Sequence, residues 1–343
     1  MALLRTKLMI LLLVGTSVAS PFLPTKTGGQ SPEVFWVQND RGVVVPALLH
    51  GLPENYSPQG IAEDVQFHLY NSKTPSSSVE IMPGCTNNCL ASLVRGAPVV
   101  ILAHGFSSDH LGGFGTGLRE NFEQAPETMN LIFINWGKLA AAPWYELAAN
   151  SVEPVGKWTG MLIDFIVSSG AAPLSDFVFA GHSLGSHVAN FIAHNITSGQ
   201  LPVIHALDPA LPLFGERTDD KRIDPSDAAF VNVIHTASGT LLDGGLAFTE
   251  PRGDVDFYPN TGKNQPGCGT DYFGACSHSR AHEYFGESVH RRNSFNGCVC
   301  TSYEDFVNTC DCTSRVPMGW ATPRATRGIY YLTTRASKPF GLD

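Results

Sequence analysis

Charge is scarce in this sequence. Asp, Glu, Lys and Arg make up 15% of the 343 residues, and the balance is acidic, with a formal net charge of −9. No clustered basic face is on offer, so nothing favours a nucleic-acid partner, which asks for one. Internal repeats, heptads and low-complexity tracts are also missing. Long apolar runs are missing too. Residues 8–14 are apolar without interruption, but seven residues fall far below the roughly 20 that span a bilayer.

That short run has another meaning. Arg5 and Lys7 stand before or at its start, and small residues follow from 15 to 20. A positive start, a short apolar stretch and small residues make an export signal, expected over residues 1–19. The rest, 20–343, is 43% hydrophobic over the whole chain and long enough for one large core. Export opens the way to disulfides. The eight cysteines fall into even clusters: Cys85 with Cys89, Cys268 with Cys276, then Cys298, Cys300, Cys310 and Cys312. The first two clusters pair within themselves. The last four allow three connectivities, of which Cys300–Cys310 nested inside Cys298–Cys312 is carried forward. Cys-x-Cys spacing without a matching histidine pair argues against zinc. Two sequons, at Asn55 and Asn195, fit an exported glycoprotein.

Apolar runs at 99–103, 131–134, 176–180, 203–207 and 230–234 read as strands buried on both faces. Helical periodicity lies between them, at 155–168 and 184–194. Strand–helix alternation predicts a wound α/β fold with a mostly parallel central sheet and helices on both faces. Further strands are expected at 34–37, 43–49, 64–70 and 328–334. Residues 236–296, rich in Gly, Pro, Asp and Asn, read as loop.

Gly181-His182-Ser183-Leu184-Gly185 follows one strand directly and opens the next helix. That is the setting of a nucleophile elbow, in which a turn too tight for flanking side chains exposes a serine hydroxyl. A serine needs a base, and the base an orienting acid. Asp208 ends the next strand, and Pro209 stops that strand there. The base must lie beyond it, among His235, His278, His282 and His290. His235 ends a buried run and reads as a core histidine. His278 stands two residues from Cys276, in a segment tethered by the expected disulfide, with His282 one helical turn on. The oxyanion needs backbone N–H groups, available at Leu184 and, after the strand 99–103, at Phe106.

Seven stretches then occur in order: Ala103-His104-Gly105-Phe106, the elbow, Leu207-Asp208-Pro209-Ala210, Asp224-Pro225-Ser226-Asp227-Ala228, Val233-Ile234-His235-Thr236, Asp256-Phe257-Tyr258-Pro259-Asn260 and Cys276-Ser277-His278. Together they resemble the pancreatic lipase family, with its secreted phospholipases A1 and arthropod lipases, over about residues 30–340. The resemblance implies an α/β-hydrolase fold, a triad of Ser183, Asp208 and His278, and an oxyanion hole at Phe106 and Leu184. It implies a structural Ca²⁺ at Asp219 and Arg222 main-chain oxygens and Asp224 and Asp227 carboxylates, and no organic cofactor. The substrate it implies is an acyl ester of lipid, met at a membrane, micelle or droplet surface. Many relatives continue into a β-sandwich domain. Here the chain stops near 343, so a single domain and no colipase partner are expected. The lid segment lies between Cys268 and Cys276 and holds seven residues, 269–275. A short lid accompanies phospholipase activity in this family, whereas the long loop 236–255 is lipase-like. Phospholipid, with galactolipids and acylglycerols beside it, is therefore the leading substrate, and a triacylglycerol lipase is the second reading. A non-catalytic, yolk-like lipid carrier and a peptidase are the readings from other classes. Carriers of this family typically lack the serine, which is present here.

Overall fold

The computed structural model describes residues 34–53, 60–74, 77–86 and 88–342. The expected export signal and the Asn55 sequon lie outside them. Strands β1 (Val34–Gln38) and β2 (Val44–Leu48) make an antiparallel pair of their own. The other described strands form one eleven-stranded sheet. They are β3 (Gln66–Tyr70), β4 (Val79–Ile81), β5 (Val99–Ala103), β6 (Asn130–Asn135), β7 (Phe177–His182), β8 (Ile204–Leu207), β9 (Val231–Ile234), β10 (Val255–Pro259), β11 (Asn296–Val299), β12 (Arg315–Pro317) and β13 (Gly328–Leu332). Their order is β12-β11-β13-β10-β9-β8-β7-β5-β6-β3-β4. Every neighbouring pair from β13 across to β6 is parallel.

The central strands are apolar throughout because both of their faces are covered. In β5, Val99, Ile101 and Ala103 join one core, and Val100 and Leu102 join the other. The first core is roofed by α3 (Tyr145–Ser168) and α4 (Leu184–Ala193), through Val152, Val155, Ile163 and Val188. The second is roofed by α2 (Gly113–Glu123) and α5 (Ala275–His290), through Phe114, Leu118, Tyr284 and Phe285. Among the described residues two short α-helices remain, α1 (Ile61–Asp64) ahead of α2 and α6 (Tyr303–Asn308) after α5. This is the α/β-hydrolase arrangement that the sequence predicts.

Two expectations need correction. The helix read from 155 begins ten residues earlier and runs through Pro154. An interior proline costs about 3 kcal/mol. Tyr145, Leu147 and Val152 are buried in the added turns, at roughly 1.5–3 kcal/mol for each large apolar side chain, so burial wins. The segment 236–296 is also not all loop, since it contains β10 and the sixteen-residue α5. Disulfides join Cys85 to Cys89, Cys268 to Cys276, Cys298 to Cys312 and Cys300 to Cys310.

Candidate active site

Three adjacent parallel strands, β5, β7 and β8, end at the same edge of the sheet. Ser183 follows β7, Asp208 follows β8, and the turn at 104–106 follows β5. Ligand sites gather at this edge in open α/β sheets. Ser183 sits at φ 58°, ψ −124°, between the last residue of β7 and the first of α4. An L-residue there is strained by roughly 1–3 kcal/mol and persists only if its surroundings enforce it. They do, through closeness. A Cβ on Gly185 would lie 2.3 Å from the Ala103 carbonyl oxygen, and one on Gly105 would lie 2.7 Å from the Ser183 Cβ. The turn after β5, with Phe106 on it, is thereby pressed against the elbow that carries Leu184.

Asp208 is fully buried. Its Oδ1 accepts from the Thr236 N–H at 2.7 Å, and its Oδ2 accepts from the Ala237 N–H at 3.0 Å. The same Oδ2 lies 2.6 Å from His278 Nδ1. A buried carboxylate held by backbone donors can keep its charge out of water and fixes the imidazole with Nδ1 protonated. His278 stands in the first turn of α5, on a helix and not on a loop. Asp271, from the segment between Cys268 and Cys276, caps that turn by accepting from the Ser277 N–H at 2.7 Å. His182 ties the elbow to α5, its Nε2 donating to the His278 carbonyl at 3.0 Å. Burial first, then the charge of His278, holds His182 well below the usual histidine range. It therefore donates as a neutral ring.

The other histidines are placed elsewhere. His235 is buried with both ring nitrogens engaged, one by the Phe248 carbonyl at 2.9 Å and one by Asp256 at 2.7 Å. His290 Nε2 bonds Asn121 at 3.0 Å. His282 lies one turn beyond His278, edge-on to Phe114. Ser183 and His278 share a cleft. Its apolar walls include Phe35 and Val37 from β1, with Phe106, Tyr145 and Leu246.

The pattern that defines the Lipase family matches residues 53–340. Horse pancreatic triacylglycerol lipase (Equus caballus) is 30% identical over 96% of this chain and 75% of its own. The rabbit enzyme of that name (Oryctolagus cuniculus) is 32% identical over 81% of this chain and 64% of its own. Rabbit lipase member H is 35% identical over 57% and 43%. The chain belongs to the lipase family. It spans 64% of the rabbit pancreatic enzyme, less than two thirds.

Two further features of this lipase-family chain were not visible in the sequence. His104 clamps the turn before Phe106, with Nδ1 at 2.9 Å from the Gly105 carbonyl and Nε2 accepting from the Trp136 N–H at 3.3 Å. Burial lowers its pKa to about 4. The N–H groups of Thr236 and Ala237, which hold Asp208, follow His235 in the chain, and no side chain advertises them. The acidic segment predicted to hold Ca²⁺ converges as well. The Asn190 amide bridges the Asp219 carbonyl at 3.1 Å and Asp227 Oδ1 at 3.0 Å. Asp227 Oδ2 accepts from the Asp224 N–H at 3.0 Å. Burial above all, with the nearby Asp224 charge adding, pushes the Asp227 carboxyl up to about 7. Asn190 Oδ1 is buried without a hydrogen-bond partner among the described residues. The Asp219 side chain is met at one oxygen, Oδ1, by Arg222 at 3.0 Å and Arg252 at 2.6 Å.

Proposed function

We propose that the chain is a secreted carboxylic-ester hydrolase of lipid acyl esters, with phospholipid the leading substrate. The observation that carries this is the Asp208–His278 pair beside a strained Ser183 in one apolar-walled cleft. Ser183 Oγ attacks the ester carbonyl while His278 takes its proton. The Phe106 and Leu184 N–H groups hold the oxyanion. Collapse releases the alcohol, protonated by His278, and leaves an acyl-serine. Water, deprotonated by His278, then frees the fatty acid. Asp208 keeps the ring oriented and stabilises its charged form. Four disulfides suit an oxidising compartment. Asn195 of the second sequon is exposed, with its Nδ2 donating to the Phe191 carbonyl at 2.7 Å.

The short lid supports the phospholipid choice. Of its two sizeable apolar groups, Tyr272 is already 80% exposed, so moving it onto lipid forfeits little protein contact. Phe273 alone contributes at most a few kcal/mol. Rate against concentration for a soluble ester is therefore expected to rise smoothly through the solubility limit, and phosphatidylcholine to be cleaved at least as fast as triolein. A sharp jump at the limit, with triolein preferred, would establish the second reading, triacylglycerol hydrolysis, which the names of the horse and rabbit relatives favour. An organophosphonate that leaves Ser183 unlabelled would point instead to a lipid carrier.

Ca²⁺ would be held by the Asp219 and Arg222 carbonyls and the Asp224 and Asp227 carboxylates, oxygen donors suited to a hard cation. Its part would be to balance two close, largely buried carboxylates behind α4. Saturation about a hundredfold over Kd stabilises by about 2.7 kcal/mol, which is several degrees of Tm. Chelation should lower Tm by that much, and the double variant Asp224→Asn/Asp227→Asn should not respond to calcium. A Tm indifferent to chelator removes the ion from the account.

A further inference from the structure

The catalytic cleft borders a second cavity, with which it shares Asp40 and Ser279. This cavity is also lined by Asn121, His282, Glu283 and Lys338. Its chemistry is unlike that of the apolar cleft. Asp40 Oδ1 and His282 Nε2 are both buried and have no hydrogen-bond partner among the described residues. The rest of Asp40 is committed. Its Oδ2 accepts from Ser108 Oγ at 2.5 Å and from the Phe114 N–H at 3.3 Å, while the neighbouring Arg41 turns to Asp109. His282 is 6% exposed. Burial, then the charge of His278, lowers its pKa to about 3, so it is a neutral ring that can offer Nε2 as an acceptor. Asn121 is used up by the Gly117 carbonyl and His290. Glu283 is met by Arg280, and Lys338 stands 3.9 Å from it at the exposed rim.

Position says which part of a substrate would enter. The group that leaves Ser183 is protonated by His278, so the glycerol and its head group depart on the side of that ring. Ser279, His282 and Glu283 follow His278 on α5 and line the second cavity. The acyl chain takes the apolar side, along Phe35, Val37 and Tyr145.

The geometry points to a head-group subsite for the primary ammonium of an ethanolamine phospholipid, its N–H groups donating to Asp40 Oδ1 and His282 Nε2. The inference rests on the phospholipid reading above. A primary ammonium has three N–H donors and a positive charge, which two unpartnered acceptors, one of them a carboxylate, lack. A choline ammonium has the charge but no N–H. A glycerol or sugar head group has donors but no charge. An anionic head group meets Asp40 with the wrong sign.

The test uses the full chain on detergent mixed micelles of dioleoyl-phosphatidylethanolamine, -phosphatidylcholine or -phosphatidylglycerol, with a soluble short-chain ester and triolein alongside. The ethanolamine lipid is expected to lead the other two in kcat/KM by roughly tenfold or more, the scale of a lost charge-assisted hydrogen bond. Asp40→Asn, which keeps the shape, and His282→Leu should each bring the ethanolamine-to-choline ratio close to one. Equal rates on the two lipids in the wild type would overturn the subsite, as would a preference that survives both substitutions. If either variant fails to fold, the wild-type head-group series decides alone. Turnover of triolein and soluble ester with no phospholipid cleaved would instead sink the phospholipid reading, a result distinct from phospholipid cleavage without preference.

Discussion

Ser183→Ala is expected to lower kcat by roughly ten-thousandfold or more while the protein still folds and binds lipid. Alanine removes one oxygen atom from a residue already fixed by its neighbours. The elbow is enforced by the approach of residue 185 to the Ala103 carbonyl and of Gly105 to residue 183. There the Ser183 Cβ, which alanine keeps, would be the nearest atom to a Cβ on Gly105 at 2.7 Å, and the hydroxyl oxygen stands farther off at 3.3 Å. The chemistry should vanish because Ser183 is the hydroxyl that the elbow carries into the cleft; Ser108 and Ser279 also line the cleft but do not sit on that turn. His278→Ala should cost nearly as much. The double variant should be scarcely worse than either single one, since nucleophile and base act as a unit. Single-turnover rates on a soluble ester would measure all three. Losses that multiply would mean that Ser183 and His278 act independently, and substantial turnover by Ser183→Ala would end the mechanism.

The parts of this site that could be read from sequence are those fixed by local sterics. A serine between Gly181 and Gly185 after a strand leaves little choice of conformation. An aspartate between a buried strand and Pro209 must emerge at the strand's end. What stayed hidden depends on remote packing. The helix α5 carries Arg280, Glu283 and Gly286 among its buried Ala281, Tyr284 and Phe285, so its apolar stripe is narrow and its composition looks like loop. Its partner α2 contains glycines at 113, 115 and 117, which weaken helix propensity by about 1 kcal/mol each. Each helix is a poor prospect alone, and they stand because they bury Leu118, Tyr284 and Phe285 against one sheet face. The cleft wall was hidden for the same reason. Phe35, Val37 and Asp40 come from a hairpin about 145 residues before Ser183, and only the fold brings them beside it.

Asp208→Asn is expected to cost about as much as losing a catalytic group, roughly ten-thousandfold in kcat, although the amide replaces one oxygen with nitrogen and little else. Asp208 is fully buried at φ 52°, a conformation that asparagine tolerates well, so the backbone turn should survive. The hydrogen bonds will not. Both carboxylate oxygens accept from N–H groups, Oδ1 from Thr236 and Oδ2 from Ala237 and His278. An amide has one oxygen and one NH₂. If its oxygen stays with the Thr236 and Ala237 N–H groups, its NH₂ faces His278 Nδ1. That nitrogen must then accept, which moves the ring proton to Nε2 and leaves no lone pair to take the proton from Ser183. If the amide flips, NH₂ faces two backbone donors and a buried repulsion replaces two hydrogen bonds, at roughly 1–3 kcal/mol for each group left unpaired. The first arrangement predicts a protein of near-normal Tm that is inactive at neutral pH and regains rate as hydroxide competes for the Nε2 proton. The second predicts a lowered Tm. Activity within tenfold of wild type at neutral pH would show that Asp208 does not set the His278 tautomer, and that another group orients the base.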